Sequence, residues 1–325
     1  MSKKQVVLGV DIGGTNTKFG IIDREGRCLA ASSMGTESNH PPDHFFRRLQ
    51  KNSDQLLGTV EEACKLAGVG IGAPNANFYK GTIEDPPNLE WDYVDIRAEM
   101  GRHLPVPVAV TNDANAAALG EMFFGAARGM KDFIVITLGT GLGSGIIANG
   151  ELIYGADGFA GEIGHTTVFS DGRVCKCGRR GCLETYASAT GLCRTVYELI
   201  CDTMTPSELR SRSYEDLNAE MVHESALKGD PLALEAFHLT GRILGMKLAD
   251  SVAHLSPEAI IFSGGLAAAG DLILDPVRQA LEEQLFPIYR NKVQLVQTRL
   301  NQGNPAILGA GALIWNFIEK KPSQT

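Results

Sequence analysis

The sequence predicts an α/β protein made of two similar halves, and three observations carry that prediction. An apolar run rich in β-branched residues, Val6-Val7-Leu8-Gly9-Val10, enters Asp11-Ile12-Gly13-Gly14-Thr15-Asn16 and leaves in a second run, Lys18-Phe19-Gly20-Ile21-Ile22. This is strand, glycine turn, strand. The pattern returns at Phe133-Ile134-Val135-Ile136-Thr137-Leu138, followed by Gly139-Thr140-Gly141-Leu142-Gly143-Ser144 and Gly145-Ile146-Ile147. Gly13 maps onto Gly139 and Thr15 onto Gly141 at an offset of 126 residues, which is a repeat of domain size rather than a solenoid period. Finally, a chain of 325 residues has room for two cores at roughly 150 residues per domain. Two unrelated glycine hairpins would give the same local pattern, so the repeat alone leaves both readings open.

Between the hairpins, residues 42–67 read as helical and Val69-Gly70-Ile71 as a short strand. Residues 72–91 are rich in turn pairs, among them Pro74-Asn75, Lys80-Gly81 and Pro86-Pro87-Asn88. Val106-Pro107-Val108-Ala109-Val110 reads as a strand that ends at Thr111-Asn112-Asp113, and the alanine-rich residues 114–124 as a helix. Residues 155–181 form a loop region that holds cysteines. From 186 to about 254 the chain reads as largely helical, with Asp230-Pro231 as a helix start: a capping side chain before proline at the first helical position. Residues 258–262 read as a buried strand entering Ser263-Gly264-Gly265. An apolar helix over 306–318 precedes a polar, frayed tail.

Composition narrows the function. Glycine supplies 37 of 325 residues, about 11% where ordinary usage is about 7%, yet apolar and charged fractions are normal, so the excess is not low-complexity disorder. A net charge of −8 and a pI near 5.4 argue against a general nucleic-acid binder, which needs a basic footprint. Asp11 interrupts the first apolar run before it reaches the length of a signal or spanning segment. The expectation is a cytoplasmic chain with no membrane partner. Seven cysteines, three of them crowded together, fit a reducing compartment in which such clusters bind metal.

Glycine turns after strands suit phosphate binding, because backbone N–H groups can approach the oxygens unobstructed. The chain contains no Gly-Lys pair, which excludes a Walker A loop, and the turn at 139–144 ends in Ser144, which breaks the dinucleotide pattern. No G-x-S-x-G elbow is present. Three turns remain. Asp11-Ile12-Gly13-Gly14-Thr15 carries a carboxylate able to hold a hydrated Mg²⁺. Leu138-Gly139-Thr140-Gly141 offers glycine amides and a hydroxyl, and Phe262-Ser263-Gly264-Gly265 suits close approach of a base and ribose. In this order and spacing they resemble the phosphate-1, phosphate-2 and adenosine motifs of the actin-like ATPase (ribonuclease H-like) fold. That resemblance implies two duplicated domains with an interdomain cleft.

Cys175-Lys176-Cys177-Gly178-Arg179-Arg180-Gly181-Cys182 places three thiols within eight residues, and His165 lies ten residues before them. Three cysteines and one histidine make a closed tetrahedral Zn²⁺ site, which is the structural kind. Cys28, Cys64, Cys193 and Cys201 are scattered and read as small core residues.

Gly161-Glu162-Ile163-Gly164-His165, followed by Cys-x-Cys-Gly-x-x-Gly-Cys-x-Glu at 175–184, resembles the ROK family of bacterial sugar kinases and regulators. Asn112-Asp113-Ala114-Asn115-Ala116-Ala117 and Ser263-Gly264-Gly265-Leu266-Ala267 are similar to other landmarks of that family. The resemblance implies Asp113 as the general base, and Asn112, Asp113, Glu162, His165 and Glu184 as sugar ligands, with His165 shared between zinc and sugar. It implies ATP held by Asp11, Gly13, Gly14, Thr15 and Lys18, by Gly139, Thr140 and Gly141, and by Gly264 and Gly265. A plainer reading of Asn112 and Asp113 is that they cap the following helix. Where many members have Pro-Gly, this chain has Pro74-Asn75, which puts a side chain of Asn75 at the sugar rim. Asn88 and Trp91 resemble the family's Asn-Leu-x-x-Trp region with one residue fewer.

The expected domains are 1–113 plus 302–325, and 114–301. The expected activity is an ATP-dependent kinase for the 6-hydroxyl of glucose, acting as a homodimer. N-acetylglucosamine, N-acetylmannosamine and, further off, fructose are alternative substrates. A sugar-responsive ROK repressor is the distant alternative. Such regulators carry an added N-terminal helix-turn-helix by the same resemblance, whereas here the first strand begins within ten residues of Met1.

Overall fold

The structure, a computed structural model, describes residues 3–60, 63–300 and 305–320. In chain order its elements are β1 (Lys4–Ile12), β2 (Asn16–Ile22), β3 (Cys28–Gly35), α1 (Pro42–Gly58), β4 (Cys64–Gly72), β5 (Ala76–Asn77), β6 (Thr82–Glu84), β7 (Tyr93–Asp95), α2 (Ile96–His103), β8 (Val108–Thr111) and α3 (Asp113–Phe124). There follow β9 (Phe133–Leu138), β10 (Leu142–Ala148), β11 (Glu151–Leu152), α4 (Ala189–Asp202), α5 (Ala219–Leu227), α6 (Pro231–Leu255), β12 (Ala259–Ser263), α7 (Asp271–Gln284), β13 (Gln294–Gln297) and α8 (Pro305–Lys320). The chain divides into two compact units.

The first unit comprises Met1–Met130, Glu151–Gly161 and Thr298–Thr325. Its main sheet has the order β3-β2-β1-β4-β8. β1 runs antiparallel to β2 and parallel to β4, and β4 runs parallel to β8. Helix α8 lies on this sheet and against α3. The contact is made by glycines: a Cβ on Gly70 would strike the Ala310 carbonyl, and one on Gly309 the main chain of Ala116. Removing side chains there lets helix and sheet approach closely, and part of the glycine excess is spent in this way rather than on turns. A small antiparallel sheet, β5-β6-β7, occupies the segment read as turns. Trp91, 5% exposed, packs edge-on against Phe45 with ring centroids 5.3 Å apart.

The second unit comprises Lys131–Gly150 and Glu162–Gln297. Its strands run β10-β9-β12-β13, with β9 antiparallel to β10 and parallel to β12, and β12 parallel to β13. This is the order and sense of β2-β1-β4-β8. The repeat read from the two glycine hairpins therefore extends to whole sheets. Helix α6 packs on α7, and Asp230 caps α6, its Oδ1 accepting the amides of Leu232 and Ala233 at 3.0 Å each.

Three expectations shift. The helix predicted over 42–67 ends at Gly58, where the Thr59 amide turns back to the Leu56 carbonyl at 3.1 Å. From Cys64 the chain is already strand, because pairing with β1 from Lys4 onward outweighs its local helical preference. The helical stretch predicted over 186–254 is three helices, with residues 203–218 outside them apart from a short 3₁₀ turn, Glu208–Ser211. The expected division after residue 113 also differs from the compact units: α3 packs on α8 and lies in the first. The tail over 321–325 and the expected boundary at 302 lie outside the described residues. Among the described residues, no helix is long and apolar enough to cross a membrane.

Candidate functional site

The candidate residues fall into two sets, one in each unit. In the first unit, three parallel strands end side by side. Asp11 of β1 is aligned with Gly72 of β4, and Gly72 with Thr111 of β8. This register brings three loops to one sheet edge: the Asp11–Gly14 turn, the Pro74-Asn75 loop and Asn112-Asp113. The carboxyl ends of parallel strands are the usual binding edge of an α/β sheet.

The first turn is tightly held. The Gly13 amide donates to the Asn16 carbonyl at 3.1 Å, Thr36 Oγ1 donates to the Gly13 carbonyl at 2.6 Å, and the Thr36 amide to the Thr15 carbonyl at 2.9 Å. A Cβ on Gly14 would lie 2.6 Å from the Asn88 carbonyl oxygen, so the Asn88 loop closes over one side of the turn. Lys18 is exposed and sits cross-strand from Asp11.

Asn112 is the N-cap of α3. Its side chain accepts the Asn115 amide at 2.7 Å, so the capping duty falls chiefly on Asn112. Asp113 is the first helical residue, and its Oδ1 accepts the Ala114 amide at 2.8 Å. Part of the Asp113 surface reaches solvent, but protein surrounds the carboxyl on most sides. This desolvation raises its pKa, against hydrogen bonds from the Ala114 amide and its own. Burial also lifts Asp11, to about 6; the Asp113 carboxylate adds to the rise and the Lys18 ammonium opposes it. Two carboxyls thus share one edge and discourage each other's ionisation. Asn75 has the left-handed φ of 50°, and its Nδ2 donates to the Asp85 carbonyl at 2.8 Å.

In the second unit β9 and β12 are adjacent and parallel, with Thr137 opposite Ser263. Gly139-Thr140-Gly141 and Gly264-Gly265 therefore leave the same sheet edge. The Gly139 amide donates to the Gly141 carbonyl at 3.0 Å, closing the turn. The Ala189 amide bonds the Gly139 carbonyl at 2.9 Å, and Thr190 Oγ1 the Thr140 carbonyl at 2.9 Å. Glu184 reaches the same turn, its Oε2 accepting the Leu142 amide at 3.0 Å.

His165, Cys175, Cys177 and Cys182 come together with their ligand atoms all within 4.8 Å of one another. Cys177 Sγ and Cys182 Sγ are 3.7 Å apart, as are Cys175 Sγ and His165 Nδ1. Zinc–sulfur bonds of about 2.3 Å in a tetrahedron put sulfurs about 3.8 Å apart, so the set fits a Zn²⁺ ion. Nδ1 is the histidine nitrogen in the set, which leaves Nε2 for a further partner. Burial alone would raise the Cys177 thiol, but the Arg179 amide, the Cys175 thiol, the Arg179 guanidinium and the Cys182 thiol hold it below its ordinary value, toward the thiolate a metal needs. Glu162 is exposed, and its carbonyl accepts the His165 amide at 3.1 Å.

Sequence reasoning missed the brace of this loop. Arg173, 7% exposed, donates to Glu198 Oε1 at 3.0 Å, to the Thr185 carbonyl at 2.6 Å and to Thr195 Oγ1 at 2.9 Å, and lies 4.4 Å over the Tyr186 ring. It pins the segment that enters Cys175. The only local sign was an arginine between glycine and the cysteine run.

A family model described as the ROK family matches residues 7–316. The chain is 35% identical over 312 residues to a glucokinase of Halalkalibacterium halodurans, covering 94% of each chain. A ROK family glucokinase of Streptomyces griseus, solved in complex with glucose and AMPPNP, superposes with a TM-score of 0.78 at 35% identity, over 95% of this chain and 98% of that one. The xylose repressor of Bacillus spizizenii is 28% identical over 322 residues, 96% of this chain and 78% of the repressor.

Proposed function

The chain belongs to the ROK family, and on that footing we propose that it is an ATP-dependent hexokinase, a glucokinase, transferring the γ-phosphoryl group to the 6-hydroxyl of glucose. The observation that carries the reading is Asp113: a carboxylate with a raised pKa, at the start of α3 and on the sheet edge that also presents Asp11. A base of raised pKa takes a hydroxyl proton more readily than an ordinary aspartate.

As the sugar oxygen approaches phosphorus, Asp113 takes its proton and the γ-phosphoryl group passes from ATP to the 6-oxygen, with ADP leaving. Little covalent work falls to the protein; positioning and charge stabilisation do the rest. The Gly13-Gly14-Thr15 and Gly139-Thr140-Gly141 turns serve the phosphates, Lys18 lies beside the first turn, and Gly264-Gly265 serve the adenosine. Asp11 would hold a hydrated Mg²⁺, which supplies charge neutralisation at the phosphates. Asn112, Glu162, His165 and Glu184 serve as hydroxyl partners of the sugar, and Asn75 and Asn88 tune its choice. His165, Cys175, Cys177 and Cys182 would hold a zinc ion whose role would be structural, fixing the loop that carries them. The cytoplasm, with ATP and reduced thiols, is the fitting compartment, and the family resemblance makes a homodimer the expected state.

The test is a coupled assay of ADP release over glucose, N-acetylglucosamine, N-acetylmannosamine and fructose. Glucose should show the highest kcat/KM. Asp113→Asn should lower kcat by roughly 10²- to 10⁴-fold while leaving the folded state intact. Absence of ADP formation with all four sugars would sink the kinase reading.

A further inference from the structure

A second group of metal-binding side chains lies in the first unit, apart from the cysteine loop. Glu37, His40 and His44 hold one ligand atom each within 4.8 Å of the others. Two successive turns build the group. The His40 amide bonds the Glu37 carbonyl at 3.1 Å, and the His44 amide, in the first turn of α1, bonds the Pro41 carbonyl at 3.0 Å. The imidazoles lie with centroids 4.8 Å apart, tilted by 41°. His44 Nε2 is 3.5 Å from Glu37 Oε2. Glu37 takes the left-handed φ of 54°, which a glutamate adopts at a cost and which turns its side chain back over the helix start.

We propose that Glu37, His40 and His44 form a second metal site, for a divalent ion of the zinc, nickel or cobalt type. Two imidazoles and one carboxylate are the donor set those ions favour, whereas magnesium and calcium prefer oxygen alone. Arg48 Nη1 lies 2.8 Å from Glu37 Oε2. A carboxylate offers two oxygens and about four lone-pair directions, so this ion pair orients the ligand without saturating it. Asp43 stays outside the set, since Arg47 and His103 take its oxygens. Among the described residues, no hydrogen bond to the His40 ring competes with a metal. The site is tied to the Glu90-Trp91 segment: Trp91 Nε1 donates to the His40 carbonyl at 3.0 Å, and the Glu90 amide to Ser38 Oγ at 3.1 Å. An ion held there would brace residues 37–44 beneath Trp91.

The proposal stands apart from the kinase reading, and so does its test. Full-length protein is loaded with zinc to fill the cysteine loop, freed of excess metal and titrated with zinc chloride by calorimetry in a non-chelating buffer. One further equivalent should bind. His40→Ala, His44→Ala and Glu37→Gln should each weaken that step by about tenfold or more, with unchanged circular dichroism. His254→Ala, a histidine on α6, should bind as the native chain does. A further equivalent that persists in the His40→Ala/His44→Ala double variant would overturn the assignment. So would the absence of any binding beyond the first equivalent in the native chain.

Discussion

Glu184 occupies the space that a side chain on residue 141 would need. Its Oε2 accepts the Leu142 amide at 3.0 Å, and a Cβ built on Gly141 would collide with that oxygen. The other carboxylate oxygen, Oε1, accepts from Cys175 Sγ at 3.8 Å. One side chain thereby ties the second glycine turn to the cysteine set.

Gly141→Ala should push Glu184 off the turn. The expected result is a lower melting temperature and a fall of about 10- to 100-fold in kcat/KM, since a small misplacement near the reacting groups has that scale of effect. Gly139→Ala is the comparison for stability: nothing lies within 4 Å of a Cβ there, so its melting temperature should stay near native. Equal melting temperatures for the two variants would count against the collision.

Asp11 gives a pH dependence of stability. Its pKa is near 3.8 in an open chain and about 6 in the fold. The folded state therefore holds the proton more tightly, and stability falls as pH rises from the first value through the second. Asp11→Asn removes this penalty. The variant should be more stable than native at about pH 8, and its advantage should disappear by about pH 4. Urea melts across that range measure it. Asp113→Asn should move the transition to lower pH, because the Asp113 charge is one cause of the rise.

Cysteine replacement tests the zinc loop. Cys182 is fully buried and stands in the ligand set. Cys182→Ala, compared in the His40→Ala/His44→Ala background so that only the cysteine loop is read, should reduce bound zinc from about one ion per chain toward none and lower the melting temperature, because metal binding and local folding share one free energy. Atomic absorption and a thermal melt read the two effects. Zinc retained at the native stoichiometry would exclude Cys182 as a ligand.

Asn75 tests the departure from Pro-Gly. A left-handed φ suits glycine at no steric cost and asparagine at little. Asn75→Gly loses the bond to Asp85, yet should fold nearly as well as native, whereas Asn75→Ala should cost about 1–2 kcal/mol from backbone strain alone. Denaturant titration separates them. The same variants in the sugar panel show whether the Asn75 side chain affects substrate choice.

Much of the candidate site was legible because its signals are local. The hairpins at 11–16 and 139–144, the helix start at Asn112-Asp113 and the cysteine spacing at 175–182 lie within a few residues each, where turn chemistry and capping leave a direct trace. Less legible was β4. Residues 64–67 look helical locally, and only pairing with β1 makes them strand. Arg173 was invisible for the same reason: its partners lie 12 to 25 residues away on other segments.

The sequence by itself determined the α/β class, the duplicated hairpin, the three glycine turns and the crowding of Cys175, Cys177 and Cys182, because each is written in neighbouring residues. Tertiary structure alone decided which of them meet. Strand register put Asp11, Gly72 and Thr111 in line and thereby placed Asp113 on the edge that carries Asp11. Close packing decided that Gly70 and Gly309 serve helix α8, that Gly14 faces Asn88 and that Gly141 yields to Glu184. A glycine reads the same in sequence whether it frees a turn or admits a neighbour. The difference is made by what lies against it, and that is set by residues far along the chain.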